Sequence, residues 1–203
     1  MKLYTLPGTC STACHVALRW SGLDFDVHVL SRDELKAPDF LAINPAGAVP
    51  ALVDGDFVLT QNAAILGYVA DLAPASGLAG DGTPRQRAHA NRWLAFVNAD
   101  VHPAFQPLFG PARFIADEAQ HDAVKAVART RLRGMFERAD DALRRHEWIA
   151  GFRSYADPYL YMTLRWASRT GVDLEGLDGL AAFRARIEAD ADVRSALARE
   201  GLG

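Results

Sequence analysis

Two cysteines, Cys10 and Cys14, fall together in LPGTCSTACHVALRWSG (residues 6–22), which passes from a Pro-Gly loop straight into a helical pattern. A helix N-terminus offers unpaired backbone N–H groups and the positive end of the helix dipole, and in such settings protein thiol pKa values fall from about 8.5 to about 3.5–7.5. Cys10 and Ser11, at that junction, are therefore candidates to carry or stabilise a thiolate. The alternative for Cys10 is a small buried apolar residue, a common fate of free cysteine. Cys14, one turn further in, is assigned to the packed face. The Cys-x-x-x-Cys spacing is one residue longer than the redox pair, and the six histidines supply no further ligands at matching intervals, so no metal is expected. His102 in DVHPAF, read by itself, is a lone helical histidine of the kind more often structural, although Pro103 and Pro107 suggest a shaped helix break around it in place of a plain surface.

These residues need elements to hold them. KLYTL reads as a strand; Ala13, Val16, Ala17 and Trp20 recur at helical intervals, with Gly22 placed to end the helix. LDFDVHVL alternates as a half-buried strand, and the short crossover makes the two strands a parallel pair. NPAGAVPALV leads into VDGDFVL, where Asp54-Gly55 signals a two-residue hairpin turn. TQNAAILGYVADL places Ile65, Tyr68, Val69 and Leu72 on one helical face. The order is βαβ, a loop with two prolines, ββ, α. After Leu72 the composition shifts to the linker APASGLAGDGTP, and no strand pattern follows. RQRAHANRWLAFVNADVH reads as a helix. Residues 122–145 read as another, with Val124, Ala128, Leu132, Met135, Ala139 and Leu143 as its buried stripe. Ser154-x-x-Asp157 is a capping-box variant opening a further helix, although Pro158 forfeits a backbone donor there. Two short helices, near 180–189 and 192–200, close the chain.

With 203 residues, half of them hydrophobic, the chain can bury a sizeable core. A net charge of -3 with no basic stripe argues against nucleic acid. No apolar run approaches the roughly 20 residues of a membrane span, and the N-terminus has too short an apolar stretch for a signal peptide. Two cysteines form no disulfide framework, which fits a reducing compartment and a cytoplasmic location.

In chain order, PGTCS, FLAINPAGAVPAL, LTQNAAI, DVHPAFQPLF, YADPYLYMTLRWA and LEGL…ALAREGL resemble the bacterial glutathione S-transferases of the Beta class over nearly the whole length. The resemblance implies an α/β thioredoxin-like N-terminal domain (βαβ-ββα, mixed sheet; residues 1–76), a linker (77–85) and an all-α domain (86–203), in a homodimer. It implies glutathione as cosubstrate, a small hydrophobic electrophile, and no metal. Cys10 would lie beside the glutathione sulfur and could form a mixed disulfide with it; His102 would face the same sulfur, donating a hydrogen bond or accepting the proton. Val49-Pro50 would be a cis bond presenting Val49 to the cysteinyl backbone. Gln61 and Asn62, opening the next helix, would hold the γ-glutamyl end, although the family more often has an acid followed by Ser, Thr or Gly. Lys36, or else Arg32, would meet the glycyl carboxylate. Trp166 and Phe105 would line the cosubstrate pocket, Trp166 having core packing as its alternative, and His15 would be structural. Thr5 stands where related classes place an activating Tyr, so tyrosine activation is not expected.

The resulting expectation is a glutathione transferase that presents glutathione as thiolate. Two alternatives stay open: a glutathione-dependent thiol-disulfide reductase or peroxidase working through Cys10, and a non-catalytic binder of glutathione or hydrophobic ligands.

Overall fold

The computed structural model describes residues 1–203. Its first part is a four-stranded mixed sheet, in the order β2-β1-β3-β4, built from β1 (Lys2–Thr5), β2 (Asp26–Val29), β3 (Ala51–Asp54) and β4 (Phe57–Thr60). β1 runs parallel to β2, with Leu3 opposite Val27, and antiparallel to β3, with Leu3 opposite Leu52. Helices α1 (Ser11–Ser21) and α3 (Asn62–Leu72) pack together, α1 lies against β1, and Leu3, Leu52, Val16, Ala17, Ile65 and Val69 are buried in one core. Gly22 ends α1 at φ 71°, in the left-handed region that a residue without Cβ enters freely.

Three local expectations are corrected here. The segment between β2 and the two-proline loop, given no element from the sequence, contains a helix, α2 (Pro38–Ile43), whose Phe40 joins Leu30 and Ala51 in a separate small core cluster. Six residues give too few turns for a visible period, while Pro38 at its first position is the N-terminal proline preference. The hairpin turn is shifted by one: Asp54 pairs with Phe57, leaving Gly55-Asp56 as the loop, with Gly55 at φ 61°. That is the glycine-first pattern of a II′ turn. Finally, α3 buries Ile65, Leu66, Val69 and Ala70, whereas Leu72 is 41% exposed.

The second part is helical. α4 (Pro84–Ala95) runs through a π-helical stretch, Phe96–Val101, into α5 (His102–Ala104) and α6 (Gln106–Phe109). α7 (His121–Leu143), α8 (Ala156–Thr170), α9 (Asp178–Ala189) and α10 (Ala191–Arg199) follow. α7 buries Ala128, Leu132, Ala139 and Leu143 as its period predicts, adding Phe136 where Met135 was expected. The apolar α8 passes through the middle of the core, where Tyr159, Leu160 and Tyr161 are fully buried, and α1 packs against both α8 and α10. Between α3 and α4, buried Leu78 accepts a backbone bond from Tyr155.

At the start of α8, the buried Asp157 carboxylate accepts from Ser154 N (2.7 Å), Ser154 Oγ (2.9 Å) and Ile149 N (2.9 Å). Pro158 does no harm, because a helix's first N–H groups have no intrahelical partner. Burial outweighs those bonds and pushes the Asp157 carboxyl up to about 6. A carboxyl raised in the folded state stays protonated there while the unfolded chain has already released its proton. Its stabilising contribution is therefore present at low pH and is lost as pH rises from about 4 to about 6, at about 1.4 kcal/mol per pH unit. Urea midpoints of wild type and Asp157→Asn across this window should diverge with that sign; parallel curves would place the folded carboxyl at its ordinary value.

Candidate active site

A cavity of about 320 Å³ lies where the sheet half meets the helical half. Cys10, Val49 and Pro50 form one wall, Gln61 and Asn62 a second, and Asn98, His102 and Gln106 a third, with Tyr159 of α8 completing it. A larger cavity, about 490 Å³ between α4 and α7, carries His89, Arg92 and Arg138 but no thiol, so chemistry rather than size singles out the first.

Cys10 caps α1 with helical backbone angles and no side-chain cap bond; its Sγ lies 4.0 Å from the Val49 carbonyl oxygen. Its surroundings overturn one expectation. Burial raises the thiol to about 11, against a smaller pull downward from the backbone N–H groups of Cys10 and Ser11. At neutral pH Cys10 is therefore an S–H donor. Ser11 is fully buried and faces away: its Oγ meets Thr5 Oγ1 (2.7 Å) and Thr9 Oγ1 (2.7 Å) and accepts from Leu6 N (3.0 Å). The same buried network continues to Glu200, which meets Thr5 Oγ1 (3.0 Å), Thr12 Oγ1 (2.6 Å) and His15 Nδ1 (2.9 Å) and ties α1 to the C-terminal helix.

The bond between Val49 and Pro50 is cis. Gln61 is the one non-glycine residue with positive φ, 74°, and makes no side-chain cap bond, so the first N–H groups of α3 are left uncapped by it beside the cavity. A non-glycine left-handed conformation costs about 1–2 kcal/mol and marks a site under local constraint.

His102 follows the π-helical stretch, which brings Asn98 and His102 to the same cavity. Its Nδ1 lies 2.5 Å from the Tyr159 hydroxyl, and burial holds its pKa below the usual histidine value, so the ring is neutral at neutral pH. Trp166 and Phe105 do not line the cavity. Trp166, 5% exposed, donates from Nε1 to the Gly8 carbonyl (2.8 Å), and its ring packs edge-on against His102 (4.8 Å) and Phe105 (5.5 Å). Phe105 is 0% exposed. Trp166 thus supports the His102 ring, and Phe105 packs behind Trp166. Phe109, 56% exposed and stacked on Phe105, offers the apolar surface expected of them. Lys36 and Arg32 are exposed and absent from the cavity wall.

Sequence reasoning missed Asn98, Gln106 and Tyr159. Asn98 and His102 are four apart, which could have flagged them on one helical face; Tyr159 carried no signal beyond the rule that a buried Tyr hydroxyl finds a partner.

Residues 1–71 match the family described as Glutathione S-transferase, N-terminal domain. Over its full length the chain is 54% identical to the full length of Glutathione S-transferase GST-4.5 of Xanthomonas campestris pv. campestris. Among solved structures it is similar to the glutathione-S-transferase from Xylella fastidiosa (53% identity, TM-score 0.96, 100% of this chain and 99% of that one). It is also similar to a sphingomonad glutathione S-transferase complexed with glutathione (38% identity, TM-score 0.87, 100% of both chains).

Proposed function

Because this chain belongs to the glutathione S-transferase family, we propose that its cavity takes glutathione with the sulfur between Cys10 and His102. The bound thiol gives its proton to solvent and is held as thiolate; it attacks the electrophilic carbon of a small hydrophobic cosubstrate, forming a C–S bond while the carbon–leaving-group bond breaks and the leaving group departs with its electron pair, as chloride does from a chlorodinitrobenzene. The observation that carries this reading is that the two groups able to donate to a sulfur from opposite walls, the protonated Cys10 thiol and the neutral His102 imidazole, share one cavity. A hydrogen bond to a charged group contributes about 1.5–3 kcal/mol, so each donor lowers the ligand thiol's pKa by about 1–2 units. The thiolate fraction at neutral pH rises accordingly, which is the catalytic gain.

The γ-glutamyl carboxylate goes to the uncapped N–H groups at the start of α3, where the helix dipole favours an anion. Gln61 supplies its side-chain amide there and Asn62 its backbone N–H, in place of a charge. The electrophile lies against Phe109, one turn beyond Gln106. Exposed Phe57, Val58 and Leu72 give an apolar surface that a second copy would cover in a homodimer. No helix is long and apolar enough to cross a membrane, and two free cysteines suit the cytoplasm. Disulfide reduction through Cys10 would need a thiolate, which its raised pKa withholds at neutral pH.

Initial rates with glutathione and a chlorodinitrobenzene test the proposal. The expected result is a glutathione-saturable rate well above the buffer reaction; binding without such a rate would leave a binder in place of an enzyme. Lys36→Ala should change KM for glutathione by less than about twofold, the usual effect of an exposed charge that touches nothing in the site. A tenfold rise would return Lys36 to the binding site.

A further inference from the structure

Behind the cavity lies a polar contact between Cys14 and Asn62. Cys14 is fully buried and its thiol is pushed well above the usual range by that burial, so it is an S–H donor. Its Sγ lies 2.9 Å from Asn62 Oδ1. That bond fixes which way the Asn62 amide points, a choice that buried amides settle through their partners. The opposite end of the amide, Nδ2, is the one buried side-chain polar atom without a hydrogen-bond partner, on a residue only 4% exposed. Such a donor is rare in folded proteins and calls for an explanation. The Asn62 side chain neighbours the Tyr159 hydroxyl closely enough to pull that group's pKa down against the larger effect of burial.

The Tyr159 hydroxyl has a single proton and two acceptors in reach: Asn98 Oδ1 at 3.3 Å and His102 Nδ1 at 2.5 Å. Giving the proton to the shorter contact makes Nδ1 the acceptor, which is the assignment proposed below. His102 Nε2 has no protein partner, and the residue lines the cavity. With Nδ1 accepting from Tyr159, the neutral ring carries its proton on Nε2.

We propose that Cys14, Asn62 and Tyr159 are positioning residues that fix His102 as the Nε2–H tautomer. In this arrangement Cys14 S–H donates to Asn62 Oδ1, Asn62 Nδ2–H turns toward the Tyr159 oxygen, and Tyr159 O–H donates to His102 Nδ1. Every member donates in the same direction, so each bond polarises the next. His102 then faces the cavity as a hydrogen-bond donor and not as a base. Its target, the glutathione sulfur, rests on the function proposed above; the tautomer does not.

Imidazole nitrogen shifts of His102, read by NMR on the ligand-free protein at neutral pH, report the tautomer directly. Wild type is expected to be predominantly Nε2–H. Tyr159→Phe should raise the share of the Nδ1–H form and lower kcat/KM for glutathione about five- to tenfold, the loss of one net hydrogen bond. Cys14→Ala should move the tautomer ratio the same way by less, and Cys14→Ser, which keeps a donor, should restore it. A merely structural role would lower Tm without moving the ratio. Predominant Nδ1–H in wild type, or a ratio indifferent to Tyr159→Phe, would overturn the proposal. Because the wild-type reading needs neither variant folding nor glutathione binding, it stands apart from any failure of the transferase assay.

Discussion

Phe105→Ala should destabilise the protein by about 3–5 kcal/mol, the range for removing a buried aromatic side chain from a core. Phe105 is fully buried, and its ring is surrounded by Phe109 (5.7 Å), Trp166 (5.5 Å) and Phe136 (6.3 Å). Deleting it removes the apolar area from the core and leaves a cavity that aromatic neighbours of fixed shape fill poorly. For a chain of this size each kcal/mol lowers Tm by about 2–4 °C, so thermal unfolding should fall by roughly 10 °C. The cavity would open beneath Trp166, whose ring supports His102, so catalytic loss should accompany the instability. Were Phe105 instead a pocket residue, the variant would keep its Tm and lose affinity for the electrophile alone.

Cys10→Ala should reduce kcat/KM at mildly acidic pH by about 10- to 100-fold, because it removes one charge-assisted hydrogen bond of about 1.5–3 kcal/mol to the ligand thiolate. Alanine leaves the α1 backbone and the wall contributed by Val49 and Pro50 in place, so glutathione binding should weaken far less than the rate falls. The deficit should shrink as pH rises toward the free thiol's pKa of about 8.5, where the thiolate forms without help. Cys10→Ser, which keeps a donor, should recover much of the rate. A pH-independent loss would mean that Cys10 acts by packing; loss in Cys10→Ser equal to that in Cys10→Ala would mean that it reacts covalently.

The elements with a clear period were legible in the sequence. Ala13, Val16 and Trp20 set α1, the long apolar stripe set α7, and Gly22 marked a helix end. α2 was too short to show a period, and the hairpin slipped by one residue because Asp54-Gly55 and Gly55-Asp56 both satisfy a glycine-containing two-residue turn. At the site, Cys10, Val49, Pro50, Gln61, Asn62 and His102 meet at one cavity. What the sequence hid was direction. Ser11 has the composition of a catalytic hydroxyl, but three neighbours saturate it on the far side of α1. Trp166 and Phe105 lie near His102 but under it. The helix-end argument for Cys10 was incomplete for the same reason: a helix N-terminus favours an anion, but burial is the larger effect on this thiol and comes from tertiary packing that no local motif displays.

If glutathione binds as proposed, this cavity lowers the pKa of its thiol. The most direct test follows the ultraviolet absorbance of thiolate in the complex of wild-type protein with glutathione against pH, with the ligand-free protein as baseline. The midpoint is expected about 2 units or more below the free thiol's, moving back up in Cys10→Ala. A midpoint at the free thiol's own value, in a complex shown to have formed, would contradict it.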